Sequence, residues 1–399
     1  MSRILQVCNT DFYLLRFLAP LVRALAADGH VVECACEASD AKSLAANLGV
    51  VVHPVVFPRR ASPHGFTRAI ADLRQIMREG RYDCVDSHNR NASIAARIAA
   101  WLEAVPINLY TAHGFYFHDD QGWLAKMATK KLEAALARIT SFTLSQSRED
   151  AALMIEGGYI ASDLIAVIGN GINTSVYQPG SDRGEIEERL GLARGRFRIA
   201  SVGRLVRGKG FGDLLRAYAG MRVLHQETEL LLIGGNIAQD LSPFRREFEA
   251  EVRARGLSEQ VVVTGIVDEV RDYLAASDVF VLPSYREGMP RALLEAMSME
   301  LAVIATNIRG CREAVAHGRN GLLYPAHDVT QLTRLLEELR GSASLRAELG
   351  SAARETALSR FDERGYIRRQ VDAIDRLLGS TSITNNSHDG SAQRMASFS

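Results

Sequence analysis

The sequence predicts an α/β protein of two doubly wound, Rossmann-like domains facing across a cleft. Three observations carry this. Short apolar runs rich in valine, isoleucine and leucine alternate with amphipathic helical segments along nearly the whole chain, the pattern of parallel strands covered on both faces. The alternation pauses once, in a polar, glycine-rich stretch over residues 177–196, and then restarts. At 399 residues the chain is long enough for two cores, and a single one would be unusual.

Taken in order, the first domain spans residues 1–176, with strands expected at 4–7, 30–35, 50–56, 82–87, 107–111, 141–144 and 164–168. Helices are expected at 14–27, 44–48, 68–78, 92–101, about 122–136 and 148–156, the first stopped by Asp28-Gly29. Residues 177–196 form the linker region, and the second domain covers residues 197–363. Its strands fall at 197–202, 229–234, 261–265, 279–282, 301–306 and 321–324. Its helices fall at 212–221, 244–255, 270–276, after Pro290, near 312–316, and at 329–339 and 344–358. A last helix occupies 364–378, and the polar tail, 379–399, is expected to be disordered.

Composition excludes several classes. Lys plus Arg equals Asp plus Glu, 47 each, so nothing global points to nucleic acid. No apolar run approaches the roughly 18 residues of a membrane span, and the N-terminus enters a strand without a leader-like segment, so a cytoplasmic location is expected. The five cysteines are odd in number and lie mostly inside strand-like runs, which fits buried free thiols. No Asp-x-Asp pair occurs, and none of the ten histidines has ligand spacing. No metal site and no cofactor are therefore expected.

Three stretches carry chemistry. DVFVLPSYREGMPRALLEAMSM (residues 278–299) reads as strand, loop and helix, with Pro290 placed in the helix's first turn. It offers backbone N–H groups at Gly288, Met289 and Arg291, suited to an anion, and two carboxylates, Glu287 and Glu295, suited to sugar hydroxyls. Residues 201–210, SVGRLVRGKG, approach a nucleotide P-loop, but Gly210 stands where a Ser or Thr would hold Mg²⁺. Arg204 and Lys209 would then take the metal's part beside a diphosphate. In the first domain, TAHGFYFH (residues 111–118) follows a strand, so His113 is expected to face the cleft, while His118 is read as structural.

GRLVRGKG, EGMPRALLEAM, TAHGF and IGNGIN together resemble the retaining, GT-B-fold glycosyltransferases of family four, and within it the bacterial enzymes of capsule, exopolysaccharide and O-antigen assembly. The resemblance implies that Arg204 and Lys209 neutralise the diphosphate of a nucleotide sugar, and that Glu295 holds the ribose hydroxyls. Glu287, with the backbone of Gly288, Met289 and Pro290, would hold the donor sugar, and His113 would touch its hydroxyls. Val267, in the segment Gly265-Ile266-Val267, falls where such enzymes place the nucleobase, and the last helix would cross back onto the first domain. Thr10 joins the substrate-binding set, although family members often carry Gly-Gly in a loop that reads Asn9-Thr10-Asp11-Phe12 here. Gly169 replaces a proline usual before Asn-Gly.

The expected activity is metal-independent, retaining transfer of a hexosyl or N-acetylhexosaminyl group from a nucleotide diphosphate sugar. The acceptor would be a glycan or a polyprenyl-diphosphate-linked sugar. Uridine diphosphate is the first carrier expected, with guanosine diphosphate mannose as the runner-up. Peripheral association with an anionic membrane is expected from Arg59, Arg60, Arg68, Arg74, Arg78 and Arg81, and from Lys126, Lys130 and Lys131 beside Trp123, Leu124 and Met127. A nucleotide-sugar epimerase would need further acid and base carboxylates. A phosphorylase would need a lysine for pyridoxal phosphate, and a sugar-nucleotide-binding regulator would bind donor without turnover.

Overall fold

The computed structural model describes residues 1–58, 62–115, 122–180, 182–222, 227–235 and 243–386. The chain divides into two compact units, one made of Met1–Gly169 with Gly365–Ser399, the other of Asn170–Arg364.

Unit 1 contains β1 (Arg3–Thr10), β2 (Val31–Glu37), β3 (Val51–Pro54), β4 (Cys84–His88), β5 (Ile107–Ala112), β6 (Phe142–Ser145) and β7 (Ile165–Val167). Among the described residues these form one parallel sheet in the order β3-β2-β1-β4-β5-β6-β7. Successive residues of β1 feed opposite faces. Ile4 packs with Leu14, Val22 and Cys34 on one side, and Leu5 and Val7 with Leu73, Val85 and Ala95 on the other. The strand order reverses between β1 and β4, and the carboxyl ends of strands at such a reversal are where doubly wound sheets take ligands.

Unit 2 repeats the plan with β8 (Phe197–Val202), β9 (Thr228–Ile233), β10 (Val261–Val263), β11 (Val279–Leu282), β12 (Ala302–Thr306) and β13 (Leu322–Tyr324). Their order is β10-β9-β8-β11-β12-β13, again parallel, with the reversal between β8 and β11. Phe280 and Leu282 enter one core layer and Val279 and Val281 the other, as expected of a strand buried on both faces. All five cysteines are buried and free.

Two sequence expectations are corrected. The stretch 177–196 is not a linker: Tyr177, Ile186 and Leu192 are buried in the core of unit 2. Its polar composition conceals a short helix, Arg183–Arg189, capped by Asp182, which accepts from the N–H groups of Gly184 (2.8 Å) and Glu185 (3.2 Å). The last helix does not end at residue 378 but runs Glu363–Asn386. Glycine and serine after Leu378 read as a stop, yet Ser380 Oγ donates to the carbonyls of Arg376 and Leu377, both at 2.9 Å, and the turn continues. Tyr366, Val371, Ile374 and Leu378 of this helix pack into the core of unit 1. The rest of the tail, residues 387–399, lies outside the described residues.

Candidate active site

In unit 2 the loop after β8 is held from both sides. Gly203 N–H donates to the Ile233 carbonyl (2.9 Å), and Tyr285 N–H donates to that of Gly208 (3.0 Å). A single tight turn, Arg207–Lys209, delivers the chain to Gly210 at φ +68° and the helix Phe211–Ala219. A Cβ at Gly210 would sit 1.9 Å from the Pro283 carbonyl oxygen, so the Ser or Thr of a P-loop has no room here. This backbone rules out the hydroxyl ligand on steric grounds. Arg204 lies exposed on the same loop.

Lys209 Nζ meets Glu287 Oε1 at 2.6 Å, with side chains 27% and 14% exposed. Two residues assigned separately to diphosphate and sugar are thus one half-buried ion pair. Glu287 opens the loop to Pro290, which stands one position before the helix Arg291–Ser298 rather than within its first turn. The Pro290 carbonyl accepts from Leu293 N–H (3.1 Å) and Leu294 N–H (3.3 Å).

The loop is braced from three directions. Asn170 Nδ2 donates to the Met289 carbonyl (3.2 Å), and Arg291 Nη1 to that of Gly171 (2.6 Å). Gly310, at φ +76°, passes so close that a Cβ there would lie 1.5 Å from the Gly288 oxygen. Met289 itself is buried in the core. Glu295 is 8% exposed, among Leu293, Leu294, Ala296 and Met297, and so is not part of a solvated helix face. Beneath the loop, burial and the charge of Glu287 push the Cys311 thiol well above its ordinary range, against smaller opposing effects of Thr306, Lys209 and Arg312, so it stays protonated.

The loops after β8, β9 and β10 meet as bare backbone. A Cβ at Gly234 would fall 2.4 Å from the Gly203 oxygen, and one at Gly235 would fall 3.1 Å from the Gly265 Cα. Val267 packs against the core while Ile266 beside it is 62% exposed.

Thr10 and His113 belong to unit 1. Thr10 caps the short helix Asp11–Tyr13, its Oγ1 accepting from Tyr13 N–H at 3.2 Å. Asn9 and Asn89 clasp the same loop: Asn89 Oδ1 accepts from Asn9 N–H and Asn9 Oδ1 from Ala92 N–H, both at 3.1 Å. Side-chain amides here do the fixing, in the loop where the resemblance led one to expect glycines. Gly169 has φ +73°, which proline cannot adopt.

His113 is half-buried, edge-on to Tyr13 with ring centroids 5.5 Å apart, and its Nε2 lies 3.0 Å from His88 Nδ1. His88 and its neighbour Asp86 were missed by sequence reasoning, which ended the strand at residue 87. Two ionisable residues two positions apart near the carboxyl end of a buried strand share a face, and that was the available signal. His118 lies outside the described residues, and among the described residues no three His, Cys, Asp or Glu side chains converge as a metal site.

The basic surface of unit 1 is smaller than its composition suggested. Glu103 accepts from Arg74 Nε (2.5 Å) and Arg78 Nε (2.8 Å), and those bonds hold its carboxyl down at about 2. Arg59 and Arg60 lie outside the described residues. The helix Trp123–Ala137 keeps its mixed face: Thr129, Glu133 and Leu136 turn inward, while Trp123 is 73% and Leu124 66% exposed, near Met127 and Lys131.

Residues 182–356 match the family described as "Glycosyl transferases group 1", and residues 16–176 match "Glycosyltransferase Family 4". An Escherichia coli protein named UDP-Gal:alpha-D-GlcNAc-diphosphoundecaprenol alpha-1,3-galactosyltransferase is 30% identical over 273 residues, 67% of this chain and 69% of that protein. The Staphylococcus aureus capsular polysaccharide biosynthesis glycosyltransferase CapM is 24% identical over 84% of this chain and 86% of its own length. Among solved structures, Anabaena Alr3699/HepE in complex with UDP and glucose superposes with a TM-score of 0.80, at 21% identity, covering 94% of this chain and all of that one.

Proposed function

The chain belongs to the family-four glycosyltransferases of GT-B fold, and from that premise we propose that it is a retaining, metal-independent enzyme using a UDP-sugar. The acceptor is a glycan or a polyprenyl-diphosphate-linked sugar in the cytoplasmic assembly of a bacterial surface polysaccharide. The observation that carries the donor assignment is the Lys209–Glu287 pair at 2.6 Å, on two loops fixed to each other by the Gly208–Tyr285 hydrogen bond. A cation held beside a bare glycine turn and a helix N-terminus suits a diphosphate, and the carboxylate next to it suits the attached sugar's hydroxyls. The name of the E. coli relative favours UDP and a lipid-diphosphate acceptor.

Transfer breaks the bond between the anomeric carbon and the diphosphate oxygen. The same carbon bonds to the acceptor oxygen on the same face, and the acceptor's proton passes to the departing phosphate. Lys209 and Arg204 stabilise the negative charge that grows on the diphosphate, Glu287 and the backbone of Gly288, Met289 and Pro290 orient the sugar, and Glu295 takes the ribose. His113 donates a hydrogen bond to the sugar being transferred. Val267 lies by the base, and Thr10 stands in the donor-binding loop.

The direct test is turnover of a panel of UDP- and GDP-sugars, with and without chelator, and the anomer of the product. Turnover of a UDP-sugar that survives chelation and keeps the donor's anomeric configuration is expected. Activity abolished by chelator and restored by magnesium or manganese would overturn the metal-independent part, and an inverted anomer the retaining part.

Among the described residues no helix is long and apolar enough to cross a membrane. The exposed face of Trp123–Ala137 instead fits the headgroup layer, with Trp123, Leu124 and Met127 entering it, the exposed Lys131 over anionic lipid and the half-buried Lys126 and Lys130 at its edge. At roughly 1 kcal/mol per lysine near such a surface, charge contributes about two orders of magnitude in partitioning. Flotation with vesicles containing phosphatidylglycerol should retain the protein, and Trp123→Ala with Leu124→Ala should release most of it. Equal retention by purely zwitterionic vesicles would contradict the role given to the lysines.

A further inference from the structure

We propose that Asn170 and Arg291 are positioning residues for the donor's sugar, clasping the backbone of Met289 and Pro290 to the segment where the chain enters unit 2. The proposal rests on the role given to that backbone above. The chain passes into unit 2 at Gly169–Asn170 and leaves it at Arg364–Gly365. Asn170 and Gly171 lie in IGNGIN (residues 168–173), none of whose side chains is among the substrate contacts above. Asn170 is buried, and its side chain is used at both ends: Oδ1 accepts from Gly171 N–H (2.8 Å) and Nδ2 donates to the Met289 carbonyl (3.2 Å). From the other direction Arg291 Nη1 donates to the Gly171 carbonyl at 2.6 Å. Donor and acceptor are fixed in both bonds, since a carbonyl only accepts and a guanidinium only donates. Residues 289 and 291 are thus each bonded to one of two consecutive residues, and Pro290 is held between them.

The segment that receives these bonds is itself fixed. Ile172 N–H donates to the Phe361 carbonyl and Glu363 N–H to that of Ile172, both at 2.9 Å, so the entering and leaving chains of unit 2 pair side by side. Thr174 Oγ1 donates to Asp362 Oδ2, and Arg291 Nη2 lies 3.6 Å from Glu363 Oε1. One guanidinium therefore reaches both chains. The clasp acts on the sugar and not on the nucleotide. Gly288, Met289 and Pro290 are in neither helix nor strand, so bonds from side chains set their path. The groups given to the nucleotide are anchored elsewhere. Lys209 is held by Glu287 and its own tight turn, and Val267 packs on the core. Glu295 rides on a helix whose Leu293, Leu294, Ala296 and Met297 are wholly buried. Releasing the clasp shifts the backbone that holds the sugar while the contacts to diphosphate, ribose and base stay in place.

The test is isothermal titration of the full-length protein with UDP, UDP-glucose and UDP-galactose. Arg291→Ala should weaken the sugar nucleotide that the wild type binds by about tenfold and leave UDP within about twofold, since one charge-assisted hydrogen bond is lost and only the sugar meets the displaced backbone. Arg291→Lys, which can still donate to the Gly171 carbonyl, should recover part of the loss. Asn170→Asp keeps the shape but turns an acceptor toward the Met289 carbonyl, and should lose as much as Arg291→Ala. Equal weakening of UDP and sugar nucleotide, the mark of a merely structural role, overturns the proposal. So does Arg291→Lys no better than Arg291→Ala. A ligand-free measurement runs beside it. Amide hydrogen exchange at Ile172 and Leu293 should quicken in Arg291→Ala while the amides of β8 and β11 keep their wild-type protection. Unchanged exchange at both positions would show that no clasp exists. Failure of the wild type to bind any of the three nucleotides would overturn the proposed function, and the exchange result would still decide the clasp.

Discussion

Lys209→Ala should lower both kcat and kcat/KM for transfer by about 10² to 10³, the cost of losing one preorganised donor at a developing negative charge, roughly 2.7–4 kcal/mol. The lysine is fixed before substrate arrives. Its backbone sits in the tight turn Arg207–Lys209 between Val206 and Gly210, and its ammonium is held by Glu287 at 2.6 Å. Little reorganisation is then needed when the bond to the diphosphate lengthens. The expected loss falls on kcat because charge on the departing group is larger in the transition state than in bound donor. Stability should change little: the pair is partly solvated, and such pairs contribute about 1 kcal/mol or less. Glu287→Gln should also lose activity, since it removes the sugar's acceptor and frees the lysine. Steady-state kinetics decide. A rise in KM with kcat intact would mean that Lys209 binds donor and transition state equally and does not stabilise the leaving group.

What was legible in the sequence follows a physical division. Strand runs such as Val279–Leu282 and Phe197–Val202 were located to the residue, because a strand buried on both faces has to be continuously apolar. Loop motifs were legible as sets of chemical groups, and Lys209 and Glu287 do come together. What could not be read was anything depending on a partner distant in sequence. Gly210 looked like a missing metal ligand, and only the Pro283 carbonyl 1.9 Å from its would-be Cβ shows why no side chain fits. Arg74 and Arg78 looked like a cationic face until Glu103, across a helix boundary, took them both. The stretch 177–196 looked like a linker because its three buried apolar residues, Tyr177, Ile186 and Leu192, are diluted among charges. Those charges are themselves structural, which leads to the second large effect.

Arg198→Ala should destabilise unit 2 by about 3–5 kcal/mol, the usual result of breaking a buried ion pair from one side. Arg198 is wholly buried at the start of β8. Its Nε donates to Glu229 Oε1 (2.6 Å), its Nη1 to Glu187 Oε1 (3.0 Å) and the Ala276 carbonyl (2.5 Å), and its Nη2 to the Ala193 carbonyl (2.9 Å). Arg183 extends the network, bonding Glu187 at 2.9 Å and Asp278 at 2.8 Å. Alanine at 198 would leave Glu229, 2% exposed, with only the Arg196 guanidinium at 3.9 Å, and Glu187 with Arg183 and the Gly195 N–H. For a body of this size each kcal/mol lowers Tm by roughly 2–4 °C, so a drop of about 6–20 °C is expected. The network sits at the amino end of β8 while Lys209 follows its carboxyl end, so kcat of folded variant should stay close to wild type. Replacing Arg198 and Glu229 together by methionine should recover much of the loss, because a packed apolar pair leaves no charge unpaired. Acid gives an independent check. Burial raises the Glu187 carboxyl, but hydrogen bonds from Arg183 and Arg198 and their charges outweigh it, leaving it below its ordinary 4.5. Its stabilising contribution is therefore complete above that value and is lost as pH falls through the lower folded one. Arg198→Ala should flatten the acid limb of the stability curve measured by denaturant titration. A wild-type melting temperature, or a double variant no better than the single, would show that the buried charges are not what holds the 177–196 segment to the sheet.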